Sequence, residues 1–276
     1  DKTCANNSSV MTTIRLNGSN NLVKNNTTYK TGASSTLNSG EIAIIEYNNL
    51  SNSGYLQSDG ALIHCMVNQQ PNTKIRFNWC HDTIKYGIRF DGDGEGNNGY
   101  IHHNICWNCE GGIMAKGGIL VDGKSVGGHF IYNNTSFNNV NKNSIIVLNE
   151  QANQKINYDT IVINNLADTI SGERSNDVQL ESRIYNSNNF KNNDISSFLK
   201  DTNNKDFRPK DNSLDIIGKG ITNYTEANFN PINEDKLTSD IGAINNNETN
   251  WKAGITWNDT NNNDEDYITN NIFNIF

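Results

Sequence analysis

Apolar residues along this chain fall in short bursts, and the bursts end repeatedly on an Asn-centred turn: "IEYNNLSN", "IRFNWCHD", "IHHNICWN", "IYNNTSFN" and "IVINNLAD". Registered on one Asn, the series runs Asn48, Asn78, Asn104, Asn134 and Asn164, with spacings of 30, 26, 30 and 30 residues. Four residues further on, each copy carries Asn or Asp: Asn52, Asp82, Asn108, Asn138 and Asp168. An earlier copy at Asn26 and a degenerate one near Ser187 extend the run. Each repeat also holds a second strand-like piece, read as "GYLQSDG", "GIRFDG", "GIMAKG" and "SIIVLN". Period-two alternation sets Ile88 and Phe90 against Arg89 and Asp91, and Ile113 and Ala115 against Met114 and Lys116.

No segment gives a long amphipathic helix, and with three prolines the turns rely on Gly, Asn and Asp. Short strands at a fixed period without helices between them predict an all-β fold, a right-handed parallel β-helix of about seven coils. A propeller would need four antiparallel strands per repeat, which these spacings do not supply. Coils stacked about 4.8 Å apart let identical Asn side chains hydrogen-bond up a ladder. The expected organisation is coils over residues 1–200, an irregular C-terminal capping segment over 201–257 and a polar tail over 258–276. The same register places Cys80 above Cys106, as a disulfide or as stacked buried thiols. Open coil ends need covers; residues 1–12 are too few for one, so an N-terminal portion is expected to be missing.

Composition narrows the function. The 276 residues carry a net charge of −8, which argues against a nucleic-acid footprint. No run of about 18 apolar residues is present, so no membrane span is expected. The chain begins at Asp1 rather than Met, and an upstream segment is expected to have preceded it. The 53 asparagines make the glycosylation sequons at Asn7, Asn17 and Asn134 unremarkable. Five cysteines, Cys4, Cys65, Cys80, Cys106 and Cys109, form no regular framework, and Cys106 to Cys109 lacks the second pair that zinc would need.

The segments "NWCHDTIKYGIRFDG" (78–92), "HHNICWN" (102–108), "GGIMAKG" (111–117) and "IYNNTSF" (131–137), with "DFRPKDNSLDIIGKG" (206–220), "DIGA" (240–243) and "WKAGITW" (251–257) near the end, carry a resemblance. They resemble the right-handed β-helix proteins found among secreted polysaccharide-degrading enzymes, often of marine bacteria. The resemblance implies a secreted or cell-surface location, a polysaccharide partner and a C-terminal segment packed along the coils. Its motifs are specific for the fold and only loosely for the reaction.

The candidate site centres on "KYGIRFDGDGEGNNGYIHHN" (85–104). Arg89, Asp91, Met114 and Lys116 are expected on one outer strand face, with Asp59 near the same line one coil earlier. Cleaving a glycosidic bond needs a proton donor and a base or nucleophile. Asp91 is the expected acid, with Asp59, Asp82 or Asp93 as the second carboxylate, and Arg89 and Lys116 contacting acidic groups of the glycan. The same residues serve β-elimination on a uronate, with Lys116 or His102 as base and Arg89 or a bound cation neutralising the carboxylate. A salt-linked ladder on a non-catalytic carbohydrate-binding or fibre-like adhesion protein is the third reading.

"DGDGEG" offers Asp91, Asp93 and Glu95 to a loose Ca2+ site; an EF-hand is excluded because His102 stands where its bidentate Glu belongs. His103 aligns with Tyr47 and Phe77 and is expected in the core, whereas His102 aligns with Arg76 and Tyr132 and should face outward to the substrate. His81 and Asp82 share a corner where a hydrogen bond would orient either. Trp107 is expected either to stack on sugar or to pack under a loop. No GxSxG, Walker, HExxH or nucleotide fingerprint supports another enzyme class.

Overall fold

The computed structural model describes residues 11–57, 59–92, 96–116, 120–121, 124–125, 128–149, 157–224, 229, 231 and 233–255. Seven short strands pair in sequence order, all parallel: Leu22–Lys24, Ile44–Glu46, Lys74–Arg76, Tyr100–His102, Phe130–Tyr132, Ile161–Ile163 and Tyr185–Ser187. Each strand meets the next after one circuit of chain, which makes a parallel β-solenoid of about six turns. Two longer strands, Trp79–Phe90 and Ile105–Ala115, run along the rest of the circuit and pair with each other over nearly their whole length.

The core follows from in-register stacking of aliphatic side chains, nearly all of them β-branched. Ile45, Ile75, Ile101, Ile131 and Val162 form one column, and Leu37, Ile63, Ile88, Ile113, Ile145 and Ile170 another, all buried. Burying each such side chain contributes about 1.5–3 kcal/mol. The alternation read from sequence holds here, since Ile88, Phe90, Ile113 and Ala115 all lie in this core. Cys80 and Cys106 occupy paired positions as free thiols, and Cys65 and Cys109 are free as well.

The Asn ladder forms, with one shift of register. Side-chain amides bond from Asn26 to Asn48, then to Asn78, Asn104, Asn134, Asn165 and Asn189. Each rung Oδ1 also receives the backbone N–H of the rung before it, as Asn104 Oδ1 does from Asn78 at 3.1 Å. The sixth rung is therefore Asn165 rather than Asn164. The residue before each rung turns left-handed: Asn25, Tyr47, Phe77, His103, Asn133, Asn164 and Asn188 all have φ between 48° and 57°. A second left-handed corner at Asn52, Asp82, Asn108 and Asn138 explains the other in-step position. Asp168 falls one residue out of that step, because Ala167 pairs with Ser136.

"GYLQSDG" is not the strand of its coil; Ala61–Cys65 is. From Ile195 onward the chain runs back along the outside of the coils. Phe207, Ile241 and Ile244 pack with Trp79, Trp107 and Phe137. At its far end, Gly254 N–H donates to the Tyr47 carbonyl at 2.7 Å and Ile255 N–H to Thr27 Oγ1 at 3.0 Å. Among the described residues, no helix is long and apolar enough to cross a membrane.

Candidate functional site

Strand register builds the polar cluster at Asp91. Ile63 pairs with Ile88, so His64 lies directly beside Arg89, and Met114 beside Arg89 on the other flank. One step further along the strands, Asp91 N–H donates to the Cys65 carbonyl and Lys116 N–H to that of Phe90, which brings Asp91 and Lys116 side by side. The Asp91 carboxylate then takes four donors. Oδ1 receives Lys116 Nζ at 2.6 Å and the Gly92 N–H at 2.9 Å; Oδ2 receives Arg89 Nη2 at 2.7 Å and His64 Nε2 at 3.0 Å. His64 and the Gly92 N–H are hydrogen-bonded to it, and Arg89 and Lys116 stand beside it as close ion pairs. Burial alone would raise the Asp91 pKa, but His64, Arg89 and Lys116 outweigh it and hold the carboxyl far below its usual range.

His64 continues the network. Its Nε2 faces an ionised, acceptor-only group and so carries the proton, which leaves Nδ1 to accept from Ser35 Oγ at 2.8 Å. The composition matches a Ser–His–Asp triad, but Ser35 is fully buried and has no path to a substrate. Gln70 anchors the backbone beneath, donating from Nε2 to the Asp91 carbonyl at 2.6 Å. The glycines of the 85–104 stretch allow close approach here: a Cβ on Gly92 would lie 2.1 Å from Val67 Cγ2, and one on Gly96 1.5 Å from Gln70 Oε1.

Asp59 does not sit in strand register with Arg89, since His64 does. It reaches Arg89 from the segment before Ala61–Cys65, with Oδ1 2.9 Å from Nη1, and its side chain is 71% exposed. Asp59 and Asp91 hold the two terminal nitrogens of one guanidinium, which puts their carboxylates within about 8 Å of each other. Met114, expected on an open outer face, is fully buried among Ala61, Tyr86, Ile146 and Leu148. Arg89 is also nearly buried, and its Nε has no hydrogen-bond partner.

Asp82 does not join this cluster. It occupies a left-handed corner and binds His81 Nδ1 at 2.5 Å and Asn108 Nδ2 at 2.9 Å. The His81 hydrogen bond draws its pKa down. His81 in turn stacks on Trp107 at 4.1 Å and 5°. Trp107 is only 6% exposed, packed against Phe207 with Lys205 Nζ 4.6 Å from its ring centre, so its faces are taken by the protein.

His102 was expected to face outward; it does leave the core, but the C-terminal segment buries it completely. There it belongs to a second ionic cluster that no sequence motif announced. Arg76 binds Glu46 and Glu234 at 2.7 Å each and Asp235 at 2.6 Å, and Lys74 also binds Asp235. His102 Nε2 lies 3.2 Å from Asp235 Oδ1, within ion-pair distance though off the line of a hydrogen bond. Burial would raise the Asp235 pKa, but His102 and Lys74 hold it well below the usual range. His103 is not in the solenoid core but on the outer corner, its ring tilted against Phe77 at 5.1 Å.

The calcium expectation rested partly on Asp93 and Glu95, which lie outside the described residues, and Asp91 is already paired with Arg89 and Lys116. Among the described residues, no group of three or more His, Cys, Asp or Glu is arranged to hold a metal ion. No family model and no curated protein matches this chain.

Proposed function

We propose that this solenoid is a carbohydrate-active protein that binds an anionic polysaccharide over the face carrying Arg89 and Lys116. The observation that supports it most directly is the pairing of Asp91 with Arg89 and Lys116. A carboxylate held ionised between two cations is poorly placed to donate a proton; its part is to hold a guanidinium and an ammonium rigid on adjacent coils. Asp59, largely exposed, is the partner of Arg89 that can leave, because a surface ion pair is worth about 0–1 kcal/mol. A uronate carboxylate or a sugar sulfate takes its place on Nη1, where a guanidinium suits planar anions. The coil spacing of about 4.8 Å approaches the length of a sugar ring, so successive sugars meet successive coils. The resemblance to secreted polysaccharide-degrading β-helix enzymes points the same way.

Hydrolysis is the second reading, favoured by two carboxylates held within about 8 Å of each other, a reach that admits a glycosidase pair. In that reading Asp59 carries the proton and Asp91 supplies fixed charge. β-Elimination has Arg89 to neutralise the uronate, but the Lys116 ammonium it would use as base is bound to Asp91. Native-gel retardation by a polyuronate, a sulfated galactan and a neutral glucan tests the binding reading, with reducing ends followed in parallel. Retardation by the acidic polymers alone supports it; indifference to both acidic polymers refutes it. New reducing ends without an unsaturated product would decide for hydrolysis, and new reducing ends with one for β-elimination.

A further inference from the structure

A cavity of about 310 Å3 opens between the outer corner of the coils and the C-terminal segment, lined by Phe77, His103, Glu234, Lys236, Leu237 and Glu248 among others. It lies at the lower end of the range for small-molecule sites, about 300–1,000 Å3. Phe77 and His103 occupy the left-handed position that Asn fills at residues 25, 133, 164 and 188. A bulky side chain there costs about 1–2 kcal/mol, and such strain concentrates at functional sites. In the next coil Asn133 uses the same position to bind the C-terminal segment, through Thr238 Oγ1 and the carbonyls of Asp240 and Gly242. The His103 coil gives up that tie and faces the cavity instead.

The protonation pattern gives His103 a chemical role. Asp235 is held ionised, so the His102 nitrogen facing it, Nε2, carries the proton. His102 Nδ1 is then an acceptor and takes the proton of His103 Nδ1 at 2.8 Å. Burial, reinforced by His102, keeps the His103 pKa far below its usual value and the ring neutral. His103 Nε2 is left with a lone pair, makes no hydrogen bond to any described residue, and belongs to a side chain that is only 3% exposed and lines the cavity.

We propose that this cavity is a binding site for a neutral, hydroxyl-rich ligand of one or two sugar rings, with a ligand hydroxyl donating to His103 Nε2. The Asp235–His102 pair is the positioning device that fixes the acceptor tautomer. Glu234, which also holds Arg76, and Glu248, which also accepts from Asn245, keep lone pairs as further acceptors for hydroxyls, and the His103 Nε2 lone pair offers no donor to an anionic oxygen. Phe77 and Leu237 give the apolar floor. The site stands apart from Arg89 and its expected anionic polymer.

Saturation-transfer NMR on the full chain tests this, with cellobiose, maltose and lactose as neutral probes and a diuronide as the acidic one. His103→Phe keeps an aromatic ring against Phe77, in a position where the preceding coil already holds Phe77, and removes the acceptor; Glu248→Gln is the second variant. The proposal expects transfer from at least one neutral disaccharide, weakened about tenfold in His103→Phe and also reduced in Glu248→Gln, with thermal melting showing both variants folded. It is overturned if no neutral disaccharide shows transfer, if both folded variants bind as the wild type does, or if the diuronide is preferred and competes at this site.

Discussion

Asp59 and Asp91 hold the same guanidinium, one at each terminal nitrogen of Arg89, at 2.9 and 2.7 Å. They are not equivalent. Removing Asp91 leaves Lys116 nearly buried without a counter-charge and Arg89 with the exposed Asp59 alone, which costs about 3–5 kcal/mol. Removing Asp59 breaks an exposed contact worth about 0–1 kcal/mol. Urea denaturation of Asp91→Asn and Asp59→Asn should show this difference. Equal midpoints in the two variants would contradict the account of Asp91 as the structural hub.

Two carboxylates pull the pH dependence in opposite directions. The folded Asp91 pKa lies far below the unfolded value of about 3.9, so its stabilisation is present above roughly pH 4 and is lost as pH falls below that. Asp168 behaves in reverse: burial pushes its pKa up from 3.8 to about 6, despite the Asn138 N–H that its carboxylate accepts. The folded state keeps this proton while the unfolded state releases it, so stability falls as pH rises from 3.8 to about 6 and stays lowered above. Asp168→Asn should gain about 1–2 kcal/mol at neutral pH and nothing near pH 3. A pH series of denaturant midpoints checks both signs.

The Asn ladder should be most sensitive at its centre. Asn104 bonds both neighbouring rungs and the carbonyls of Ile75 and His102 in full burial. Its removal orphans several of these groups, each costing about 1–3 kcal/mol. Asn104→Ala should destabilise by about 3 kcal/mol or more, and Asn189→Ala, on the half-exposed last rung, by about 1 kcal/mol. Calorimetry that ranked the two equally would remove the ladder from the account of stability.

Cys65, Cys80, Cys106 and Cys109 are fully buried. Burial pushes the Cys65 thiol up to about 12 and those of Cys106 and Cys109 well above their usual value. A thiol reagent at neutral pH should label none of these four in the folded chain and all four in denaturant. Rapid labelling of any of them without denaturant, read by peptide mass, would contradict the packing of the coils.

The coils were legible because Asn48, Asn78, Asn104 and Asn134 keep step with the chain's own period, and because a parallel stack turns identical residues into a bonded ladder. The step fails at Asn164 and Asn165, where one added residue in the circuit is invisible to a pattern dense in Asn. Arg89, Asp91 and Lys116 were placed together by alternation alone. His64 was missed because "GYLQSDG" was read as the strand of that coil; aligning "ALIHC" with "GIRF" would have put His64 beside Arg89. Nothing in sequence placed Asp235 against Arg76 and His102, since that contact joins residues separated by more than 130 positions through the returning segment. Packing of Trp107 under a covering segment was one of its two expected places, whereas the burial of Met114 among Ala61, Tyr86, Ile146 and Leu148 escaped because period-two alternation tells which side a residue faces, not what lies on that side.

The most direct test of the central claim is calorimetric titration of wild type and Asp59→Asn with an acidic oligosaccharide, at low and at raised salt. Anion recognition at Arg89 predicts that Asp59→Asn binds several-fold more tightly than wild type, up to about fivefold for an ion pair of this kind, and that added salt weakens both. Unchanged or weaker binding by Asp59→Asn, with the fold intact, would contradict the claim that Asp59 occupies the place of the ligand's anionic group.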